Sequence, residues 1–276
     1  MAIEFAKRTL IALVLIAAVS VVAAGQGLQG RGGAAQPARS PKEASPVDLT
    51  GYWAAAITED WRFRMVTPPK GDYASVPLNA DGTKAADAWD PAKDIAAGEQ
   101  CRAFGAAGIM RLPVRLHITW QDDSTLKVDI DNGSQVRLFH FGESAPPASP
   151  GWQGMSLAGW ETVQQGQGLA PAAGGRGNAA VVATALSGSL KVVTTRMKPG
   201  YLRRNGVPYS ANAVLTEFFD RTSEPNGDSW LILTSIVDDP AYLNLPFMLT
   251  THFKREPDGS KFRPRPCEVT PPVAGG

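Results

Sequence analysis

Three histidines, His117, His140 and His252, fall in stretches that alternate apolar and polar residues. Three imidazoles on one sheet are the ligand set of an open zinc site in which the metal activates water. Strand register decides whether they can meet. Asn132-Gly133 reads as a two-residue hairpin turn, which sets Asp131 opposite Ser134, Val128 opposite Arg137 and Leu126 opposite Phe139. An odd-numbered loop around Asp122-Asp123 then sets Trp120 opposite Leu126, Ile118 opposite Val128 and His117 beside Asp129. His140 shares the face of His117 but lies roughly 16 Å away at ordinary strand spacings, too far to share a metal. The expected role of His117 is a cross-strand contact to Asp129, and no metal or other cofactor is expected.

Gly154-Met155-Ser156-Leu157-Ala158 comes within one residue of the G-x-S-x-G nucleophile elbow, but Ala158 replaces the last glycine and no strand-turn-helix pattern surrounds it. Asp122-Asp123 and Asp238-Asp239-Pro240 read as turns, where aspartate bonds the backbone. More telling is charge on an apolar face. Leu116, Ile118, Trp120, Leu126, Val128, Ile130, Phe139 and Phe141 share one side of the meander, and Arg137 falls among them. A buried guanidinium needs an acceptor. Glu217 lies between Leu215 and Phe219 by the same alternation, with Arg221 two positions on the same face beyond Phe219. Two readings are open: a charged cluster that orients a polar ligand group inside a cavity walled by Trp120 and Phe139, or an ion pair that closes the barrel.

These side chains need strands to hold them. Residues 114–120 and 126–130 alternate with period two, and Asn132-Gly133 adds a third strand, giving an antiparallel meander. Asn226-Gly227 joins a second hairpin, roughly 213–222 with 229–237. Asp258-Gly259 is read as joining a third, with arms near 247–255 and 260–263. An entry strand at 49–57 and strands near 152–161 and 189–197 bring the total to nine or ten. The stretch from about Leu78 to Gly108 is the helical candidate: Asp90-Pro91 supplies an N-cap and a proline at the first helical position, while Gly98, Gly105 and Gly108 keep helices short. Many antiparallel strands with few helices predict a mostly β fold, a single barrel of about eight to ten strands with short helices before the central meander.

The N-terminus reads as a secretory leader, residues 1–24: Lys7 and Arg8 precede an apolar run from Thr9 to Val22, and Val22-Ala23-Ala24 offers a cleavage site before Gly25. It is either removed on export or retained as an anchor. Residues 25–47 have the composition of a disordered linker, 48–270 form the barrel domain, 164–188 a flexible insertion and 271–276 a disordered tail. Without Glu4, Lys7 and Arg8 the chain carries 25 charges of each sign, and that balance lacks the cationic excess that nucleic-acid binding requires. Cys101 and Cys267 are the two cysteines, both in the exported part, where an even count points to one disulfide.

The series PLNADGTKAADAWDP, WQGMSLAGWE, GSLKVVTT, GVPYSANAVLTEFFDR and IVDDPAYLNLPF resembles a group of secreted bacterial proteins of unknown function, in which a G-x-S-x-x-x-W-E segment precedes T-E-x-F-x-R and D-P segments. The match runs from about Leu78 to His252, and the insertion after Trp160-Glu161 departs from the pattern. The resemblance implies a lipocalin-like β-barrel and brings no established activity. Leu49-Thr50-Gly51-Tyr52-Trp53 is separately similar to the G-x-W that opens lipocalins. The expected function is a secreted or periplasmic protein that holds a small apolar or amphipathic molecule in the barrel, with Arg137, Glu217, Arg221, Trp120 and Phe139 around it. An enzyme using Glu217 with Arg137 or a histidine-bound metal, and a structural envelope protein with a filled barrel, are the alternatives.

Overall fold

The structure, a computed structural model, describes residues 39–142, 149–164 and 186–273. The expected leader (1–24), residues 25–38 of the expected linker, and 165–185 of the expected insertion lie outside the described residues.

The fold is mostly β, with a closed barrel and a few short helices. In chain order the elements are β1 (Gly51–Ala56), α1 (Trp61–Met65), α2 (Ala80–Asp87), α3 (Pro91–Ala96), a 3-10 turn (Gln100–Phe104), α4 (Ala106–Ile109), β2 (Arg115–Trp120), β3 (Thr125–Ile130), β4 (Asn132–Gly133), β5 (Gln135–Phe141), β6 (Met155–Gln164), β7 (Leu186–Thr195), β8 (Gly200–Arg203), β9 (Val207–Tyr209), β10 (Val214–Ser223), β11 (Ser229–Asp238), β12 (Phe247–Glu256) and β13 (Arg265–Pro266). The helix starts follow from local chemistry. The Asn79 side chain accepts the Gly82 N–H at 2.8 Å, and the Asp90 side chain accepts the Ala92 N–H at 3.0 Å with Pro91 just inside the helix.

Nine strands close the barrel in the order β1-β12-β11-β10-β7-β6-β5-β3-β2, with β2 returning to β1. Nine is odd, so strand direction cannot alternate all the way round, and one neighbouring pair must be parallel. That pair is β5–β6, in which Phe139 lies opposite Ser156. A parallel pair needs a long return connection, which is why β5 and β6, unlike β2, β3 and β5, are not joined by a tight turn. The expected register of the meander holds: Trp120 faces Leu126, Val128 faces Arg137, and His117 lies beside Asp129.

The third hairpin is a correction. Residues 260–263 form no strand; the backbone N–H of Ser260 bonds the Asp258 side chain and the chain turns away from the sheet. The reason is closure: β12 pairs with β11 on one edge and with β1 on the other, leaving no free edge for a returning arm. Instead the chain reaches β13, which pairs in parallel with β4, and the Cys101–Cys267 disulfide ties it to the 3-10 turn.

Residues 41–47, placed in the linker by composition, lie against the barrel: the Pro41 carbonyl accepts the Trp160 indole N–H at 2.8 Å and Val47 packs on the core. Strands β6 and β7 extend into both ends of the expected insertion, where Thr162 pairs with Gly188 and Gln164 with Leu186. At the other end of the barrel, α1 to α4 and the β8–β9 ribbon form a plug, and a second apolar cluster of Ala106, Met197, Leu202, Val207, Tyr209 and Leu215 joins α4 and the ribbon to barrel strand β10.

Candidate functional site

Period-two alternation sends Arg137 from β5 and Glu217 from β10 into the lumen, where they meet. Arg137 Nη1 donates to Glu217 Oε1 at 2.8 Å and Nη2 donates to Oε2 at 2.5 Å, with both side chains at most 1% exposed. Thr194 accepts a further bond from Arg137 Nη2 at 3.3 Å and shares a hydrogen bond with Ser156 at 2.7 Å. Phe139 lies under the guanidinium, 4.9 Å from ring centre to Arg137 Cζ, and packs on Phe219. Ser156 is therefore a buried side chain near the start of β6, part of a polar belt, not the exposed apex of a nucleophile elbow. The lumen at this level is occupied by paired side chains.

The other two residues expected beside them are elsewhere. Trp120 joins Phe141 and Trp160 in an aromatic cluster, with ring centres 5.5 Å and 6.4 Å from its own. Arg221 donates to the Asp48 carbonyl at 2.6 Å and stands near the face of Trp53, so it anchors the segment that leads into β1. The histidines face outward on separate strands. His117 stacks on Tyr52 with its Nδ1 4.0 Å from Asp129, and His252 lies 3.7 Å from Glu59. Among the described residues no group of three histidine, cysteine or acidic side chains is gathered as a metal site would require.

A second constellation, unforeseen in the sequence, lies in the plug. Asp94 of α3 is buried and accepts four bonds: from the Tyr201 hydroxyl to both carboxylate oxygens at 2.9 and 3.1 Å, from Arg102 at 2.9 Å and from the Trp89 indole N–H at 3.2 Å. Arg102 also lies over the Tyr201 ring. Burial first, then the Asp94 carboxylate, pushes the Tyr201 hydroxyl above the ordinary tyrosine value. Burial opposes the Arg102 charge, but Tyr201, Asp94 and Glu99 outweigh it and hold that guanidinium above its usual value.

Two openings flank this cluster. The larger, a cavity of about 210 Å³ continuous with solvent, runs between α2–α3 and the β8–β9 ribbon and is lined by Trp89, Lys93, Arg102, Tyr201, Tyr209 and Tyr242. Tyr209 places a buried hydroxyl, without a hydrogen-bond partner among the described residues, beside Gly105 and Gly200. The smaller opening is covered by residues 268–270, just past the disulfide. Nothing in the local sequence marks these residues. Tyr201 and Asp94 are 107 positions apart, and Asp94 lies on a six-residue helix too short to show a face. The one available signal was Trp89-Asp90-Pro91, which places an aromatic at a helix entry.

No family model, no curated protein and no solved structure matches this chain.

Proposed function

We propose that this chain is an exported, lipocalin-like binding protein that takes a small amphipathic molecule, and that the molecule sits in the plug cleft between α2–α3 and the β8–β9 ribbon. The observation that carries the reading is the cleft itself. It offers aromatic walls from Trp89, Tyr201 and Tyr242 and, beside the carboxylates of Asp90 and Asp94, cationic groups from Arg102 and Lys93, in a cavity of about 210 Å³; it is smaller than a drug-sized site, but aromatic walls with a few convergent polar groups are the lining such sites use. Arg137 and Glu217, by contrast, are bonded to each other through both Nη atoms of the guanidinium. Export is supported by the leader pattern and by the Cys101–Cys267 bond, which an oxidising compartment sustains. No helix among the described residues is long and apolar enough to cross a membrane.

The test uses the natively exported chain and an anilinonaphthalene sulfonate dye, an amphipathic anion whose fluorescence rises out of water. Tyr242→Ala and Lys93→Glu should each weaken dye binding about tenfold, the order expected for losing one aromatic wall or one charge-assisted contact. Unchanged binding in both variants, with weakened binding when Arg137 and Glu217 are replaced together, would move the ligand into the lumen. The filled lumen also favours a second reading, a structural envelope protein; wild type that binds neither the dye nor any copurifying molecule would establish it.

A further inference from the structure

Four arginines gather where the loop after β1 meets the end of the β8–β9 ribbon. Arg64 comes from α1, Arg111 from the segment between α4 and β2, and Arg203 and Arg204 from the end of β8. They are knitted together. Arg64 Nε donates to the Arg111 carbonyl at 2.8 Å, and Arg204 Nη2 donates to the Arg64 carbonyl at 2.8 Å. The guanidiniums of Arg111 and Arg203 both lie over Phe247, at 5.5 and 6.0 Å from its ring centre, and Arg203 also stacks on Phe63. Arg64, Arg111 and Arg203 are buried.

The counter-charge falls short. Glu59 bonds Arg64, and Asp60 accepts from Arg111 Nη2 at 3.1 Å. Asp72 is bonded by Arg62 and also acts electrostatically on Arg203. Glu59 and Asp60 are thus the carboxylates left to Arg64 and Arg111, with Asp60 and Asp72 acting on Arg203 at longer range, and Arg64 Nη2, Arg111 Nε, Arg203 Nε and Arg203 Nη2 are buried with no acceptor among the described residues. Folded proteins leave few buried polar groups in that condition, and an unmet charged donor costs more than a neutral one. Burial, then the like charge of Arg203, brings Arg111 down to about 10; burial brings Arg203 down to about 10 as well.

We propose that this cluster is a binding site for a doubly charged tetrahedral oxyanion, phosphate or sulfate, free or carried on a small molecule. The argument is one of charge and shape. Guanidinium N–H groups match the oxygens of such an ion in pairs, and a dianion carries the charge of the two carboxylates it displaces, Glu59 and Asp60, while reaching donors that they leave unmet. Those two carboxylates mark the way in. Their side chains are 37% and 36% exposed, whereas their partners Arg64 and Arg111 are 1% and 6% exposed. The incoming anion takes their place on the guanidiniums, so in the unliganded protein Glu59 and Asp60 act as built-in competitors. The site is separate from the cleft that faces Tyr242 and stands or falls independently of it.

Titration calorimetry and thermal unfolding of the exported, disulfide-intact chain test this, with sodium phosphate and sodium sulfate compared with acetate and chloride at equal ionic strength. Phosphate and sulfate should saturate one site and raise the melting temperature, while acetate should do neither. E59Q/D60N should bind phosphate about tenfold more tightly, because its competitors are gone. R111M and R203M, shown to be folded by circular dichroism, should bind at least tenfold more weakly. A response of E59Q/D60N to phosphate no greater than to acetate would overturn the proposal, and so would wild-type affinity in both arginine variants. Should the arginine variants fail to fold, the E59Q/D60N result decides the matter by itself. A carrier molecule rather than the free ion would show as a phosphate monoester that binds more tightly than inorganic phosphate.

Discussion

Arg137 and Glu217, 80 residues apart, form a two-pronged ion pair inside the barrel, bonded at 2.8 and 2.5 Å and shielded from water on every side. Neither side chain reaches solvent, so each depends on the other. Arg137→Met or Glu217→Leu alone should lower stability by about 3–5 kcal/mol, because the surviving charge stays buried and unpaired, while the double variant should lose far less. Chemical denaturation of the three variants measures this. Single variants as stable as wild type would show that the pair contributes little to the fold.

The Cys101–Cys267 bond spans 166 positions and holds the segment around β13, whose only sheet partner is the two-residue β4. Replacing both cysteines with alanine should cost about 2–4 kcal/mol in the exported protein. Cleavage by protease between residues 257 and 273 should become faster in that variant than in wild type, since the segment then rests on its hydrogen bonds at Arg265, Thr270 and Val273 and the Phe262 ring contacts. Intact mass after alkylation should show no free thiol without reductant and two with it.

Tyrosine ionisation should lag behind that of free tyrosine. Burial first, and then the hydrogen bond from its hydroxyl to Asp87, push Tyr73 up to about 12; burial pushes Tyr209 up too, as it does Tyr201. A folded value above the unfolded one, about 10, means the stability these groups contribute is intact below pH 10 and is lost as pH climbs toward the folded value. An ultraviolet titration should therefore show late-ionising tyrosines that titrate normally in denaturant, with unfolding on the alkaline side. Simultaneous ionisation of all five tyrosines near pH 10 in folded protein would contradict it.

Gln164 and Leu186 face each other at the end of the β6–β7 pair. Replacing 165–185 with Asn-Gly should therefore keep the hairpin and leave the melting temperature within a few degrees of wild type, since two-residue turns of this kind join antiparallel strands directly. A loss of more than about 10 °C would mean that the removed residues carry packing; for a domain of this size that corresponds to several kcal/mol.

Local rules made much of the barrel legible. Period-two alternation placed Leu116, Val128, Phe139 and Leu215 inside, Asn132-Gly133 set the register that puts His117 beside Asp129, and Asp90 marked a helix start through its own side-chain bond. Each of these depends on residues within a few positions of one another, so the physics that decides them is written in a short stretch of chain. The same alternation turned Arg137 and Glu217 inward, but only closure of the sheet could bring them together. Closure likewise required the parallel β5–β6 pair and cancelled the hairpin at Asp258-Gly259, because an edge already occupied on both sides cannot accept another strand. Asp94 with Tyr201, and Arg64 with Arg111 and Arg203, meet in the plug through segments with no shared period. Their proximity is a property of how the helices and ribbon pack over the barrel end, where burial and unmet charge arise only once the whole chain has folded.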